Sequence, residues 1–368
     1  MAISRNTIVA GVLAAGLSVG FTAESRTAGV PPGYPRSYDR IVEAANKGGQ
    51  LTVYSATDAR EMDEVLRGFR ALYPKITIHY EDLSSSEVYR RFLADAAAKK
   101  VVADLVINSA MDLQIKLVND GYSQPYASPE KPNLPDWAVW KNEAYGISAE
   151  PIVFAYNKRL MPAADVPKDH DQLQHLLERK AKAYVGRVAM LDPETSSTGF
   201  LYITQDVQLD RDTWDLIRAI GRTQPKLFIS TEEMIRRMQS GELTFAYNMI
   251  GSYALDQQGK DPNFGVVFPK DYTLAISRIA LIPKDAPHPD AAKLFLDYML
   301  SKPGQASLAR HRMNPLRTDV PKVGPQPDPS SIKAIRVGPA LLVNLDQMKK
   351  AKFVRDWKKA VPQAVQVR

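Results

Sequence analysis

The 368-residue chain is long enough for two domains of ordinary size, and 45% of its residues are hydrophobic, which is enough to form buried cores. It contains no cysteine, which excludes disulfide bonds, thiolate metal sites and a lipid anchor on cysteine. The formal net charge is +7, but the basic residues form no stripe interleaved with aromatic residues, so the charge does not predict binding to nucleic acid.

The N-terminus has the pattern of a secretory signal peptide. Arg5 precedes an uncharged run at positions 6–23 that is rich in Ala, Val, Leu and Gly. A run of this length also suits a single membrane anchor, but its glycines and weak hydrophobicity favour a signal peptide over residues 1–28. The mature chain is therefore predicted to be a soluble periplasmic monomer.

From Gly49 onwards, short apolar strands alternate with amphipathic helices. The segment GQLTVYSAT at 49–57 is typical of a strand that ends in a polar turn. The next segment, DAREMDEVLRGFRALYP at 58–74, has apolar residues at helical spacing and a proline at its end. Two further strand and helix pairs follow over 75–122. This alternation predicts an α/β fold in which helices cover a mostly parallel sheet.

The second half of the chain repeats the alternation with longer segments. GISAEPIVFAYNKRLM at 146–161 predicts a long strand, and LTFAYNMIGSYA at 243–254 predicts another. TLAISRIALIP at 273–283 predicts one continuous strand, and 288–312 predicts one long amphipathic helix. The basic segment KKAKFVRDWKKA at 349–360 predicts an exposed helix near the C-terminus.

Hydroxyl side chains follow several of the predicted strands, where open α/β sheets bind their ligands. They are Ser55 and Thr57 after the first strand, Ser85 after the second, Ser109 after the third, and Ser196, Ser197 and Thr198 in the loop LDPETSSTGF. One hydroxyl is expected at a helix start as an N-cap, but the run of four at 195–198 exceeds that need. Because helix N-termini attract anions, the set predicts one cleft for an anionic or polar ligand.

The order of these segments resembles that of the type II periplasmic solute-binding proteins of ABC importers, in the group of ferric-ion and related anion binders. The resemblance rests on VYSATDAREMDEVLRGFRALYP, ADLVINSAMDLQIKLVNDGY, YGISAEPIVFAYNKRLM, SGELTFAYNMIGSYAL and ISRIALIPKDAPHPDAAKLFLDYMLS, in that order. It covers essentially all of the chain after the leader. No single segment is a strict motif, so the order and spacing of the segments carry the resemblance.

The resemblance implies two α/β lobes with a ligand cleft at the hinge between them. The implied lobes are 29–148 plus 268–314 and 149–267 plus 315–368. The chain would cross between them near 148–152 and 265–269, and return near 314–317. A solute that contacts both lobes only in the closed form shifts the hinge equilibrium towards closure, and a permease in the inner membrane would recognise that form.

The resemblance also bears on the ligand. In the ferric members, adjacent tyrosines hold the metal shortly after a Gly-Glu pair. Aligning Gly241 and Glu242 with that pair places Gly251 and Ser252 at the tyrosine positions. A Gly-Ser turn offers backbone N–H groups and a hydroxyl instead of phenolates. A small anionic solute is therefore predicted, a phosphate ester, phosphonate or carboxylate, with no metal and no cofactor.

Three further side chains are candidates for the same site. Asn248 is placed to orient the anion through its amide. Arg278 either faces the cleft as a bidentate partner of the anion or forms an ion pair. Glu150, at the predicted crossing, either holds a ligand amine or caps the hinge.

Three alternative functions stay open at this point. The first is ferric-ion binding, and the second is an exported hydrolase whose catalytic residues come together from distant segments. The third is a sensor role with a receptor as partner. The chain contains no G-x-S-x-G, H-E-x-x-H or P-loop motif, so an enzyme is not the preferred interpretation.

Overall fold

The structure is a computed structural model that describes residues 30–367. The predicted signal peptide at 1–28 lies outside the described residues. Over the described part of the chain, no helix is both long and apolar enough to cross a membrane. The strands are β1 (Gln50–Ser55), β2 (Thr77–Asp82), β3 (Leu105–Asn108), β4 (Val139–Trp140), β5 (Ala144–Gly146), β6 (Glu150–Asn157), β7 (Val188–Leu191), β8 (Lys226–Phe228), β9 (Phe245–Ile250), β10 (Phe264–Val267), β11 (Thr273–Ile276), β12 (Ile279–Leu281), β13 (Ile332–Ala334) and β14 (Val365–Gln366).

Helices alternate with these strands, and their ends carry recognisable signals. The helices are α1 (Asp39–Gly48), α2 (Ala59–Leu72), α3 (Ser85–Ala97), α4 (Met111–Asn119), α5 (His170–Lys180), α6 (Ser197–Leu209), α7 (Thr213–Gly221), α8 (Thr231–Gln239), α9 (Gly251–Lys260), α10 (Pro289–Leu300), α11 (Lys302–Arg310) and α12 (Gln347–Ala360). At the start of α3, Ser84 and Glu87 form a capping box, in which each side chain satisfies a backbone N–H of the other.

Two separate sheets define two lobes. The strand order is β2-β1-β3-β12-β5-β4 in the first sheet and β13-β11-β6-β9-β7-β8-β14 in the second, with β10 paired to β6. Strand β1 is parallel to β2 and β3, and β7 is parallel to β8 and β9. Strands β12 and β6, which each enter from the other lobe, are antiparallel to β3 and β9. Helices flank both sheets, so the predicted two-lobe α/β fold is confirmed.

The chain crosses from the first lobe to the second between β5 and β6, in agreement with the predicted crossing near 148–152. It returns at Ser277 and Arg278, because β11 belongs to the second sheet and β12 to the first. This crossing replaces the predicted one near 265–269 and moves the lobe boundary past β11. It also divides the predicted strand at 273–283, whose apolar pattern continues while the chain changes sheets.

A third crossing follows helix α11. There the N–H of Ala149 donates to the carbonyl of Asn314 at 2.8 Å, close to the predicted return near 314–317. The predicted helix at 288–312 is divided into α10 and α11. Ser301 ends α10 and also caps α11, because its hydroxyl accepts the N–H of Gly304.

Each lobe has its own apolar core, and a third cluster joins the two. In the first lobe, Phe69 and Phe295 pack edge to face with ring centroids 4.9 Å apart. In the second lobe, Trp357 of α12 is buried. The third cluster contains Met111 of the first lobe and Leu201 of the second. Because burying one large apolar side chain contributes about 1.5–3 kcal/mol, this shared cluster stabilises contact between the lobes.

The chain after the third crossing contacts both lobes through a segment that we call the C-terminal strap, residues 332–345. Strand β13 lies beside β11 at the edge of the second sheet. The N–H of Val337 then donates to the carbonyl of Trp137 in the first lobe at 2.8 Å, and a 3₁₀ helix, Pro339–Leu345, packs on α4 of that lobe. Helix α12 and strand β14 then lie on the second lobe, against α7 and β8.

Candidate functional site

A cavity of about 220 Å³ lies between the lobes, at the carboxyl ends of strands β1, β2 and β3 on one side and β7, β8 and β9 on the other. The first lobe lines it with Ala56, Asp58, Asp82, Leu83, Ser84, Ser85 and Ser109, and the second with Leu191, Thr198, Ile229, Ser230, Thr231, Glu232, Ile250 and Tyr253. Open α/β sheets bind ligands at this position. We call it the interlobe cavity.

Helices α3, α6 and α8 begin beside the interlobe cavity, and a serine caps each of them. The hydroxyls of Ser84, Ser196 and Ser230 each accept the backbone N–H three residues later, at 3.3 Å. Helix α9 also begins here, and its N-cap residue, Ile250, has no side-chain acceptor. Four helix N-termini therefore place N–H groups and partial positive charge around the cavity, although none of its lining side chains is basic.

Thr231 is a lining residue with a buried, unpaired hydroxyl. Its side chain lines the cavity and is only 5% exposed, and its Oγ1 has no hydrogen-bond partner among the described residues. A buried hydroxyl without a partner is unfavourable unless a bound molecule satisfies it. The sequence pattern did not predict this residue because β8, which precedes it, has three residues and was not recognised as a strand.

The two lobes touch directly at one edge of the cavity. Ser86 Oγ and Ser197 Oγ lie 2.9 Å apart, and the Ser86 hydroxyl also lies 3.1 Å from the carbonyl oxygen of Thr195. Ser86 belongs to the first turn of α3 in the first lobe, while Ser197 begins α6 in the second lobe and Thr195 lies in the loop before it. The hydroxyl run of the 191–200 loop thus serves partly as a contact between the lobes.

The predicted site residues fall into three groups. Ser85, Ser109 and Thr198 line the interlobe cavity. Ser196 and Ser197 lie beside it, at the cap of α6 and at the contact between the lobes. The residues that are buried and do not line the cavity are Ser55, Thr57, Glu150, Asn248, Gly251, Ser252 and Arg278. Residues lining the cavity without having been predicted include Asp58, Asp82, Ser230, Thr231 and Glu232.

Arg278 and Glu150 form a buried ion pair between the two lobe crossings. Arg278 Nε donates to Glu150 Oε1 at 2.8 Å and Nη2 donates to Oε2 at 3.0 Å, which makes the pair bidentate. Ser148 and Ser252 donate to the same carboxylate, and Arg278 Nη1 donates to Thr57 Oγ1 at 2.8 Å. Both charged side chains are at most 1% exposed.

This pair favours the second of the two roles that the sequence left open for each of its members. Burial disfavours the charge on Arg278, but the Glu150 carboxylate outweighs that effect and raises the pKa of the guanidinium. The bidentate partner of Arg278 is Glu150 rather than a ligand anion, and Glu150 is not available to a ligand amine. Since one partner lies at each of two lobe crossings, the pair fixes the hinge strands beneath the cavity.

Asn248 and Gly251 set the start of α9. Asn248 has a left-handed backbone with φ of 56°, at an irregularity in the pairing of β6 and β9. Its amide donates to Asp206 Oδ2 at 2.7 Å inside the second lobe, and not towards the cavity. A Cβ on Gly251 would lie 2.5 Å from the carbonyl oxygen of Pro151. Glycine therefore allows α9 to begin directly against β6, at the place where the sequence predicted a turn.

A smaller cavity of about 90 Å³ lies next to the first, between α4, the start of α6 and the C-terminal strap. Asp112 of α4 lines it together with Ser197, Leu345 and Lys350. The Asp112 side chain is 3% exposed, and burial raises its pKa to about 7, with the N–H of Leu113 and the charge of Lys350 opposing the rise. A carboxyl group is thus enclosed where the two lobes meet.

The acidic residues and tyrosines near the cavity bear on the ferric-ion alternative. In residues 30–367, no group of three His, Asp or Glu side chains is arranged to hold a metal. Tyr247 donates its hydroxyl to Asp206 at 2.8 Å inside the second lobe. Tyr253 lines the cavity, but burial raises the pKa of both phenols well above the ordinary value, which disfavours the phenolate form.

Two α/β lobes, three crossings and a cavity at the strand ends define a solute-binding protein of the periplasmic type. The family model for bacterial extracellular solute-binding proteins matches residues 64–333. The chain belongs to this family. The match ends within β13, so most of the C-terminal strap lies beyond it.

Solved structures support the same assignment. The substrate-binding protein of an ABC transporter from Agrobacterium tumefaciens is 35% identical, with a TM-score of 0.80 over 85% of this chain and 94% of that one. AfuA from Actinobacillus pleuropneumoniae, solved with fructose-6-phosphate, is 19% identical, with a TM-score of 0.72 over 86% and 99%. Iron-bound HitA from Pseudomonas aeruginosa is 17% identical, with a TM-score of 0.68 over 84% and 99%. The protein is the substrate-binding component of an ABC transporter, with the type II periplasmic binding fold.

Proposed function

We propose that this protein captures a small anionic solute, a phosphate ester, phosphonate or carboxylate, and delivers it to a membrane permease. The convergence of four helix N-termini on the interlobe cavity carries the proposal, because helix N-termini bind anions through their N–H groups and partial positive charge. The hydroxyls of Ser85, Ser109, Thr198 and Thr231 add further hydrogen-bonding groups. The volume of about 220 Å³ is below the roughly 300–1,000 Å³ of sites for drug-sized ligands, which favours a small solute.

The proposed mode of action is capture by closure in the periplasm, without chemical turnover. Both lobes line the cavity, so a bound solute favours the state in which they are in contact. Within residues 30–367, no histidine lines the cavity, so the serine hydroxyls there have no neighbouring imidazole to activate them as nucleophiles. Binding alone accounts for this arrangement.

Separate substitutions of Ser196 and Thr198 test the site. Ser196→Ala removes the cap of α6 and the hydroxyl that lies 3.0 Å from Thr198 Oγ1, so it should lower stability by about 1 kcal/mol and change affinity less than Thr198→Val does. Thr198→Val removes a hydroxyl from the cavity and should weaken binding about tenfold to hundredfold, as expected for a lost hydrogen bond to a charged group. Calorimetry and thermal unfolding measure the two effects.

The solute for these titrations is the one that co-purifies with the protein from the periplasm, identified by mass spectrometry. The expected compound carries a phosphate, phosphonate or carboxylate group. A neutral co-purifying solute, or normal affinity in the Thr198→Val variant, would contradict the proposal. The matched control is Thr213→Val, because Thr213 is a buried threonine of α7 that does not line the cavity.

A ferric-ion titration tests the iron alternative directly. Since Gly251 and Ser252 begin a helix and Tyr247 is bound to Asp206, no pair of phenolates is available, and no strong visible tyrosinate-to-iron band is expected. Absorbance spectroscopy on the solute-free protein makes the measurement. A stoichiometric band that disappears in Tyr247→Phe or Tyr253→Phe would instead establish iron binding.

A further inference from the structure

The rim of the interlobe cavity carries three carboxylates. Asp58 and Asp82 come from the first lobe and Glu232 from the second, and none of the lining side chains is basic. Asp82 and Glu232 are exposed and Asp58 is half-buried. The floor differs in character, because the hydroxyl residues Ser109 and Thr231 are only 3% and 5% exposed. We call the more exposed acidic residues the rim of the cavity and the buried hydroxyl residues its floor.

Helix capping accounts for only part of this acidic rim. Asp82 Oδ2 accepts the N–H of Ala59 at 2.9 Å, which satisfies the start of α2 with one oxygen. The carboxylate of Asp58 makes no hydrogen bond to the helix that it precedes. In α8, the ion pairs within the described residues use Glu233, and Glu232 takes no part in them. Asp58 lies near the Tyr253 hydroxyl, which also lines the cavity, and its negative charge faces the same cavity as that of Glu232 from the other lobe.

The acidic rim also constrains the ligand electrostatically. Burial, and then the nearby carboxylate of Asp58, raise the pKa of Asp82, although the N–H of Ala59 opposes the rise. A ligand with only negative charge would be repelled by the rim while the floor attracts it. A positive group at the rim converts that repulsion into attraction and lowers the repulsion between the carboxylates. The unpaired Thr231 hydroxyl, on a buried residue that lines the cavity, is an independent observation that favours a polar ligand.

We propose that the solute is a zwitterion, with its ammonium group among Asp58, Asp82 and Glu232 and its anionic group at the helix N-termini below. This rests on the proposed function, because the anionic half is the one described there. Each lobe then contacts both ends of the solute, since Asp58 comes from the first lobe and Glu232 from the second, and helix N-termini from both lobes face the anionic group. The two lobes then close fully only on a solute that carries both an ammonium group and an anionic group.

A matched set of small probes tests the proposal by calorimetry on the solute-free protein. The zwitterions are O-phosphoethanolamine and β-alanine. Ethyl phosphate and propionate lack the amine, and ethylamine lacks the anion. At least one zwitterion is expected to bind about tenfold more tightly than its amine-free partner, and ethylamine is expected not to bind measurably.

The outcomes separate the two proposals. Equal affinity for a zwitterion and its amine-free partner overturns the zwitterion and leaves the anionic solute intact. Binding of ethylamine as tight as that of O-phosphoethanolamine overturns the anionic solute itself. Failure of both zwitterions to bind also overturns the inference, and the co-purified compound then decides the proposed function.

Variants of the rim supply the second test. Glu232→Gln should reduce the preference for a zwitterion over its amine-free partner about fivefold to tenfold, and it should strengthen the binding of ethyl phosphate because one repelling carboxylate is removed. The control is Glu43→Gln, because Glu43 is an exposed residue of α1 away from the cavity. It should change neither the preference for a zwitterion nor the affinity for ethyl phosphate. An unchanged preference in Glu232→Gln and Asp58→Asn together would exclude the rim as the ammonium site.

Discussion

Replacement of Glu150 by alanine is expected to destabilise the protein by about 3–5 kcal/mol, because it leaves the Arg278 charge buried without its partner. The loss should be large since Arg278 is 1% exposed and cannot reach water without opening the hinge. Ser148 and Ser252 also lose the acceptor that their hydroxyls use. Urea unfolding followed by circular dichroism measures the effect.

The double variant Glu150→Leu with Arg278→Met is the decisive control. Replacing both charges with apolar groups of similar size is often neutral, so most of the lost stability should return. Because Arg278 does not line the cavity, the double variant should also retain solute binding. Binding that disappears while stability recovers would restore Arg278 as a ligand partner. A loss below about 1 kcal/mol in Glu150→Ala would mean that the pair is solvated.

Asp112 is expected to make stability depend on pH between about pH 4 and pH 7. Its pKa is raised by burial from the ordinary value of 3.8 to about 7. Its contribution is therefore fully present below pH 3.8, where the carboxyl is protonated in both states, and is lost as the pH rises through 7. At 1.36 kcal/mol per pH unit, the loss over this range is on the order of 4 kcal/mol.

The variant Asp112→Asn isolates this effect. The amide of Asn stays neutral, so the variant should have a higher melting temperature than the wild-type protein at pH 8. At pH 4 the two melting temperatures should be nearly equal. The matched control is Asp171→Asn, because Asp171 is an exposed residue of α5. Its melting temperature should depend on pH in the same way as that of the wild-type protein. Parallel pH profiles for the original protein and Asp112→Asn would show that Asp112 is solvated in the native state.

The order of strands and helices could be predicted because local patterns carry it. Hydrophobic periodicity located β1, α2 and β2 within a few residues of their observed bounds. The strand at 273–283 was predicted as one element because an apolar pattern does not reveal which sheet its residues join. The change of lobe at Ser277 and Arg278 depends on pairing with β6 and β3, which are distant in sequence.

The site was predictable only in outline, for a similar reason. The rule that ligands bind at strand ends indicated the loops that line the cavity, including those of Ser85, Ser109 and Thr198. It did not indicate that Arg278 pairs with Glu150, 128 positions away. The sequence also offered no reason to group Asp58 with Glu232, because they come from different lobes. Long-range pairing decides which polar residues remain free for a ligand.

The C-terminal strap has a consequence for the lifetime of the bound state. Ile335 donates its N–H to Ala275 of the second lobe at 2.9 Å, and Val337 donates to Trp137 of the first at 2.8 Å. Separating the lobes must therefore detach or bend this segment, whichever solute is bound. Because those contacts are made by the protein alone, they slow the release of weak and tight solutes by the same factor. Residence time then has a part that the strap sets, and weakening the strap should raise the dissociation rates of different solutes by a similar factor.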